Sequence, residues 1–428
     1  MRIRNGGDCS MHNTRRLRRS LLPWAAGCLG VLGLGAVPAL AVPYSLLTTI
    51  DIPATSSNTT GGQLTAFDIS YFDGNTQNYY LADRSNNTVD VLSSATNSVV
   101  TQVGTGSFSG AKSSPDISGP NGVLVANNQL YAGDGDSTVH VFNVSGTTYT
   151  PATIISTGTP SNSRADEMAF DPTDNRLIVA NDAATPSPYV SLINASTHTV
   201  VAQTVLNGSS GTPNATGGIE QSVWMPSNDR FYTSIPQIGA TGDPGGIAEI
   251  NPLTGAVIQT FDLASFHIGA CGPTGLVKGN GNQLLIGCGA AGSQTIVFDP
   301  TANGGAGAVI ATIPFSGADE VAFDPSNNLF FVTDSAAGQL GIINAANDAF
   351  LGSITTATGA HSVAVDPVSN ELFVPLGAGA GNSICPGGCI GVYAAVPEPG
   401  SDSLLVAGLI GLAGVTSFGW RRRRTARR

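Results

Sequence analysis

The segment 317–354, which the rest of the chain repeats, begins with residues that alternate toward a buried face at 319–323 and continues with an apolar, β-prone stretch at 329–333. With further strands at 339–344 and 350–354, the segment predicts four short strands separated by turns. The segment has no apolar stripe with the 3.6-residue period of a helix. Four antiparallel strands in about 40 residues are typical of one blade of a β-propeller.

The turn between the first two of these strands reads Asp324-Pro-Ser-Asn-Asn328. Proline at its second position fixes φ, and asparagine tolerates the left-handed backbone conformation. Nearly the same sequence occurs at 171–175 and 366–370. None of the three has the residue order of an EF-hand calcium loop, so we interpret them as structural turns.

The first strand and its turn recur along the chain in seven copies. The aligned stretches are 65–68, 123–126, 168–171, 222–225, 275–278, 321–324 and 363–366. Seven copies predict an all-β fold, a seven-bladed β-propeller with four antiparallel strands per blade. A six-bladed propeller is the alternative if the irregular second or fifth copy is not a blade.

The two ends of the repeat region predict how the ring closes. The last copy offers three strands, at 361–366, 371–376 and 389–394, and lacks a fourth. Residues 46–52 form a lone strand before the first copy. Because a ring must hide its end edges, we expect 46–52 to complete the last blade.

The segment 79–100, YYLADRSNNTVDVLSSATNSVV, resembles the YVTN family of β-propeller repeats in its strand–turn–strand core. Looser copies lie at 177–201 and 329–345. The resemblance implies a propeller domain, which we assign to residues 42–395. Since this fold hosts binding modules, surface-layer proteins and lactonase-like enzymes, the resemblance does not assign a function.

The composition agrees with a turn-rich β protein, because the 428 residues include 54 glycines and only 11% are charged. The net charge of −11 is unevenly distributed, since twelve of the 18 basic residues lie near the two ends. Residues 42–396 contain six basic and 26 acidic residues. A domain this acidic repels phosphate backbones, which argues against nucleic acid as a partner.

Residues 1–41 have the organisation of a signal peptide for export. A basic stretch at 15–19 precedes an apolar stretch at 21–34, and the small-residue sequence at 37–41 fits a cleavage site. An uncleaved N-terminal anchor is the alternative.

The C-terminal segment has three parts in a fixed order. Residues 396–403 contain a Pro-Glu-Pro motif, residues 404–420 are apolar, and residues 421–428 are rich in arginine. The motif residues are Pro397, Glu398, Pro399, Arg421, Arg422, Arg423 and Arg424. This order is similar to the PEP-CTERM sorting signal, which implies processing by an exosortase-type enzyme in exopolysaccharide-producing cells.

The apolar stretch 404–420 predicts a transmembrane helix, because about 17 residues at about 1.5 Å each nearly span a bilayer core. The arginines after it predict that the tail 421–428 is cytoplasmic. We therefore expect an exported protein that is anchored by this helix before processing and is then at the cell surface or in the extracellular matrix. A plain tail anchor is the alternative, with the same topology.

Four cysteines lie outside the signal segment. Export permits disulfides, and the sequence spacing predicts the pairs Cys271–Cys288 and Cys385–Cys389. A metal site is the alternative, although no histidine accompanies these cysteines.

Propellers usually place ligand sites around the central channel, at the start of the innermost strand of each blade. The pairs at that position are Gln63-Leu64, Asn121-Gly122, Asp166-Glu167, Glu220-Gln221, Pro273-Thr274, Asp319-Glu320 and His361-Ser362. Oxygen ligands of this kind suit calcium, and the candidate ligands are Asn121, Glu167, Glu220, Asp319 and Glu320. Crowded carboxylates also raise each other's pKa, which makes Glu320 and His361 candidate catalytic residues. Alternatively, these polar residues only line a wet channel.

Two functions follow from these observations. The first is an exported, surface- or matrix-associated propeller that binds polysaccharide, protein or cations, or has a structural role. The second is a calcium-dependent, lactonase-like hydrolase that acts in the channel. The chain contains no G-x-S-x-G, H-E-x-x-H or phosphate-binding loop motif, which favours the first function.

The arginine-rich tail can be tested directly. Replacing the four residues 421–424 with glutamine should impair membrane retention or processing, because it removes the charges that hold this end at the cytoplasmic face. Cell fractionation and the apparent mass of the protein measure both effects. Replacing Arg427 and Arg428 instead is the control, and unchanged fractionation of the first variant would contradict the interpretation.

Overall fold

A computed structural model describes residues 44–158 and 164–396. Within these ranges the chain forms 28 strands in seven four-stranded antiparallel sheets, which confirms the seven-bladed propeller. The predicted signal peptide 1–41, the apolar segment 404–420 and the tail 421–428 lie outside the described residues, as does the Pro-Glu-Pro motif.

The strands and short helical turns have the following bounds. The first half of the chain contains β1 (Tyr44–Ile50), β2 (Ser70–Asp73), β3 (Asn78–Asp83), β4 (Thr88–Ser93), β5 (Ser98–Val103), β6 (Val123–Ala126), β7 (Gln129–Gly133), β8 (Thr138–Ser145), β9 (Thr148–Ser156), β10 (Ala165–Asp171), β11 (Arg176–Asn181), β12 (Tyr189–Asn194) and β13 (Thr199–Val205). The second half contains β14 (Ser222–Met225), β15 (Arg230–Ile235), β16 (Gly246–Ile250), β17 (Val257–Asp262), β18 (Pro273–Lys278), β19 (Leu284–Cys288), β20 (Thr295–Asp299), β21 (Ala308–Ile313), β22 (Ala318–Asp324), β23 (Leu329–Asp334), β24 (Gln339–Asn344), β25 (Ala349–Thr355), β26 (Ala364–Asp366), β27 (Glu371–Leu376) and β28 (Cys389–Ala395). Short helical turns lie at Pro115–Ile117, Leu263–Phe266 and Ala302–Gly305.

The blades follow one another around a ring. The first strand of each sheet contacts the first strand of the next, and β26 of the last blade contacts β2 of the first. Each of the seven apolar clusters packs between two neighbouring blades. Between the last and the first blade, for example, the rings of Tyr79 and Phe373 stack with centroids 5.1 Å apart. Burial between blades therefore holds the ring together.

The N-terminal strand completes the seventh blade, whose strand order is β1-β28-β27-β26. Tyr44 pairs with Ala395 and Ile50 with Ile390, antiparallel. This confirms the predicted closure, although the strand begins two residues earlier than predicted and ends at Ile50.

The first repeat is shifted from its predicted place. The innermost strand of the first blade is Ser70–Asp73, not 65–68. Its turn starts at Asp73, contains glycine in place of proline, and ends on Gln77 at φ 55°. The pair at the start of this strand is consequently Asp68-Ile69, and Gln63-Leu64 do not occupy that position.

The innermost strands carry a bulge at the start in several blades. In the third blade Ala165 pairs with Asn181, but Met168 pairs with Val179, so one residue is extra on the inner strand. The sixth blade repeats this irregularity between Ala318 and Val321. A bulge re-aims side chains, and here it lets both members of a pair approach the channel.

The recurring turns are structural, as predicted. The Asp324 carboxylate accepts a hydrogen bond from the Ser326 N–H at 2.8 Å, and Asn328 has φ 57°. The carboxylate of Asp171 accepts one from the Thr173 N–H at 2.7 Å in the same way. Such Asx turns fix the hairpin between the first two strands of a blade.

Two disulfides join nearby cysteines. Cys271 and Cys288 flank the hairpin of β18 and β19, with Cα atoms 4.5 Å apart. Cys385 and Cys389 close a short loop before the last strand, with Cα atoms 6.1 Å apart.

The closing strand allows a test of the ring. Ile50 is 6% exposed and packs in the cluster between the last and first blades, whereas Leu47 of the same strand is 55% exposed. We expect Ile50→Ala to lower the free energy of unfolding by about 2–4 kcal/mol, because it leaves a cavity in that cluster. Leu47→Ala is the matched control and should change it by less than about 0.5 kcal/mol. Urea denaturation measures both values, and equal effects would contradict the described packing.

Candidate functional site

One end of the central channel forms a polar cavity of about 300 Å³, which we call the channel mouth. Its charged lining residues are Asp68, Arg84, Arg164, Asp166, Glu167, Glu220, Asp319 and His361. Most of them stand at or beside the start of an innermost strand, where the repeat places one pair from each blade. The mouth thus combines three basic side chains with five carboxyl groups.

The structure separates the residues that the sequence predicted as one site. Glu167, Glu220, Asp319 and His361 line the channel mouth. Glu320 lies deeper, is only 2% exposed and lines a second cavity that also contacts Glu167. Asn121 does not line either cavity.

Arg84 links the first two blades beneath the mouth. It forms an ion pair with Asp68, and its guanidinium donates to the Asn121 side-chain oxygen at 2.6 and 3.1 Å. The Asn121 amide donates in turn to the Ala165 carbonyl at 3.2 Å. Burial alone raises the pKa of Asp68, but Arg84 and His361 outweigh it and lower that pKa well below its usual range.

Arg164 forms a second charged group at the start of the third blade. Its Nη2 atom lies 2.6 Å from Asp166 Oδ2 and 3.1 Å from Asp182 Oδ2. Asp182 is held in place by the Ile219 N–H, which donates to it at 3.0 Å. Burial raises the pKa of Asp166 to about 7, although Arg164 acts in the opposite direction. The pKa of Asp166 is therefore close to neutral pH, so both the protonated and the ionised form are populated there.

The sequence interpretation did not single out Asp68, Arg84 and Arg164. Asp68 was missed because the first repeat was aligned five residues too early, which assigned Asp68 to the turn and not to the start of the strand. The two arginines carried a usable signal, since they are among only six basic residues between 42 and 396. A rare cation in an acidic domain is a good candidate for a buried ion pair.

Glu167 and Glu320 lie against each other between the two cavities. Burial raises the pKa of Glu167 well above its usual range and that of Glu320 to about 8, and the contact couples the two groups. The Ser362 hydroxyl donates to Glu320 Oε2 at 3.3 Å. The two carboxyls hydrogen-bond to each other, which requires a proton on one of them. No other donor of the described chain reaches Glu167 Oε2 or Glu320 Oε1.

His361 is fixed by three neighbours. Its Nδ1 atom lies 2.8 Å from the Gly359 carbonyl, and its Nε2 atom lies 3.7 Å from Asp68 Oδ1. Phe67 stacks on the imidazole with ring centroids 4.7 Å apart. Burial lowers the pKa of His361, but Asp68 and Asp319 outweigh it and raise that pKa to about 9. The ring is therefore cationic at neutral pH, which suits binding better than general-base catalysis.

The closest group of three acidic side chains in the described ranges is not in the channel. Asp171, Asp174 and Asp229 bring their oxygens within 4.8 Å of one another at the turns of the third and fourth blades. Asp171 already accepts hydrogen bonds from the backbone of its own turn. We regard this group as part of the turns.

The comparisons with known proteins support an exported β-propeller. Residues 395–424 match the PEP-CTERM protein-sorting motif. The fold is similar to a hydrazine synthase structure from Kuenenia stuttgartiensis, with a TM-score of 0.59 and 13% sequence identity. That match covers 76% of this chain and 96% of the other, and at this identity it shows the fold alone. A search of curated proteins found no match.

The motif match confirms the predicted sorting signal and implies recognition by an exosortase-type enzyme. The propeller is compatible with the YVTN-like repeats. In 44–158 and 164–396 no helix is long and apolar enough to cross a membrane, and the predicted helix 404–420 lies beyond these ranges.

Glu320 predicts a pH dependence of stability. Because its pKa is raised to about 8, the folded protein holds a proton between about pH 4.5 and 8 that the unfolded chain releases. The free energy of unfolding should therefore fall as pH rises through this window, and Glu320→Gln should remove this contribution. One pKa unit corresponds to about 1.4 kcal/mol. We therefore expect the change in the free energy of unfolding between pH 5 and 8 to differ between wild type and variant by at least that much.

Urea denaturation across this range measures the difference. Asp51→Asn, at an exposed carboxylate far from the channel, is the control and should leave the wild-type slope intact. Parallel curves for wild type and Glu320→Gln would show that Glu320 does not hold the proton.

Proposed function

We propose that the protein is an exported β-propeller that acts as a binding module at the cell surface or in the extracellular matrix. In this proposal the channel mouth binds the end of a hydroxyl-rich glycan. The sorting motif at 395–424 supports export and surface sorting. The propeller supports an interaction role, although the fold alone does not name the ligand.

The proposal depends on an open donor and an open acceptor in the same cavity. Arg164 Nε and Asp166 Oδ1 are both buried and have no hydrogen-bond partner in the described chain. Leaving such groups unpaired costs about 1–3 kcal/mol each. A hydroxyl donates one hydrogen bond and accepts others, so it can satisfy both groups at once. Glycans present many hydroxyls in fixed geometry, which makes them the ligand class that fits best.

The charges of the mouth agree with a neutral polar ligand. Each basic residue already has an acidic partner, Arg84 with Asp68 and Arg164 with Asp166. An anionic ligand would have to displace the acidic member of one of these buried pairs, which is costly. A neutral sugar leaves both pairs intact.

The second candidate is a calcium-dependent hydrolase that uses the channel carboxyls. The contact between Glu167 and Glu320 favours it, because a divalent cation would relieve the crowding of two buried carboxyls. These two residues would hold the ion. Calcium takes six to eight oxygen ligands, however, and the Asn121 oxygen is already used by Arg84. The donor set therefore fits a glycan better than calcium.

Binding of oligosaccharides from the exopolysaccharide of the producing cells tests the proposal. We expect Asp166→Asn to weaken this binding about tenfold, because a neutral amide accepts a weaker hydrogen bond than a carboxylate. Asp174→Asn, in the turn that follows the same strand, is the matched control and should bind like wild type. Isothermal titration calorimetry measures the affinities.

The same titrations separate the two candidates. Wild-type protein that binds no oligosaccharide, or that binds it equally well after Asp166→Asn, would contradict the glycan site. Calcium binding together with ester or lactone hydrolysis, both lost in Glu320→Gln, would favour the hydrolase.

A further inference from the structure

The channel contains a second cavity on the far side of Glu167 and Glu320. It has a volume of about 610 Å³ and is lined by the remaining length of the innermost strands. We call it the apolar chamber. The next-to-last residue of the innermost strand lines it in every blade, as Phe72, Phe170, Trp224 or Phe323 in four blades and as valine in the other three. All seven of these side chains are only partly buried.

This ring of apolar residues follows from the repeat itself. The polar pair stands at the start of each innermost strand and the apolar residue near its end, as with Asp319-Glu320 and Phe323. The channel mouth and the apolar chamber are therefore successive layers of the same strands. Trp224 packs on Phe231 with ring centroids 5.0 Å apart, and Phe323 packs on Phe330 at the same distance. The chamber walls are thus supported by the blade cores and do not need a ligand to hold their shape.

The inner end of the chamber is acidic, unlike its apolar walls. Glu167 and Glu320 are the only residues of charged type among its lining residues in the described chain. Both are more than nine-tenths buried, and Glu167 Oε2 and Glu320 Oε1 receive no hydrogen bond from a donor of the described chain. The Ser362 hydroxyl holds Glu320 from the side and is itself held by Ser70 at 2.7 Å. Two carboxyls that lack any other donor at these oxygens are therefore fixed at the end of an apolar cavity.

We propose that the apolar chamber binds an amphiphile with a single alkyl chain and a protonated amine head group. The alkyl chain contacts the apolar ring, and the ammonium donates to Glu167 and Glu320. The head group replaces the proton that the two carboxyls otherwise share. A carboxylate or phosphate head is excluded, because it would place a further acidic group against two buried carboxyls and would donate no proton to them.

This inference is independent of the glycan proposal. The glycan would use Arg164 and Asp166, which line the channel mouth and not the chamber. Either site can fail while the other binds, and Asp166→Asn should leave amphiphile binding unchanged.

Titration of the full chain with n-alkylammonium ions below their micelle concentration tests the chamber. Affinity should rise about threefold to fourfold for each methylene added between hexyl and decyl, as expected for an alkyl chain that leaves water. Decanol and decanoate are the matched ligands with other head groups. Decylammonium should bind at least about tenfold more tightly than decanol, since it donates charged hydrogen bonds, and decanoate should not bind.

Two variants separate the parts of the site. Glu320→Gln should weaken decylammonium binding at least about tenfold and leave decanol binding within about twofold. Trp224→Gln should weaken both ligands. Phe350→Gln, at a phenylalanine that is 37% exposed outside the chamber, is the control and should bind both ligands like wild type. Affinity that does not depend on chain length, equal binding of decanoate, or wild-type binding by Trp224→Gln would overturn the proposal.

Discussion

The ring depends on the pairing of its first strand with its last. Tyr44–Ile50 adds to Cys389–Ala395 and gives the seventh blade its fourth strand. Without this pairing, β28 would expose unpaired backbone groups, and the cluster that joins the last and first blades would lose Ile50. Since every blade is stabilised by its two neighbours, a gap at one place removes a neighbour from both blades beside it. The channel and both of its cavities exist only in the closed ring.

Closure brings seven strand starts together, and this crowding explains the charge pattern of the channel. Bulges in the innermost strands turn pairs such as Asp166-Glu167 and Asp319-Glu320 inward. So many buried carboxyls cannot all be ionised, and two solutions occur side by side. Asp68 and Asp166 have arginine partners, whereas Glu167 and Glu320 share a proton. The arginine–aspartate pairs make the mouth polar, and the Glu167–Glu320 pair lies between the mouth and the apolar chamber.

Local patterns were sufficient to predict the fold but not the site. The turn at Asp324 and the alternation around it depend on neighbouring residues, so the blades and their closure followed from the sequence. The first blade was misplaced because its turn at Asp73 has glycine where the three nearly identical turns, at 171–175, 324–328 and 366–370, have proline. The site was harder to predict than the fold, as Arg84 shows. Its partners Asp68 and Asn121 lie 16 and 37 residues away along the chain. The contact with Asp68 forms only when the first blade folds, and the contact with Asn121 only when the first and second blades meet, so no local sequence pattern indicates either.

The position of the last strand has a mechanical consequence for a protein that carries a sorting tail. The tail leaves the propeller after β28, which is an interior strand with β1 on one side and β27 on the other. A pull on the tail is therefore resisted by two ladders of hydrogen bonds loaded together along their length. A tail that left from an edge strand would peel that strand away one bond at a time. The N-terminal strand thus supports the strand from which the sorting segment leaves the propeller.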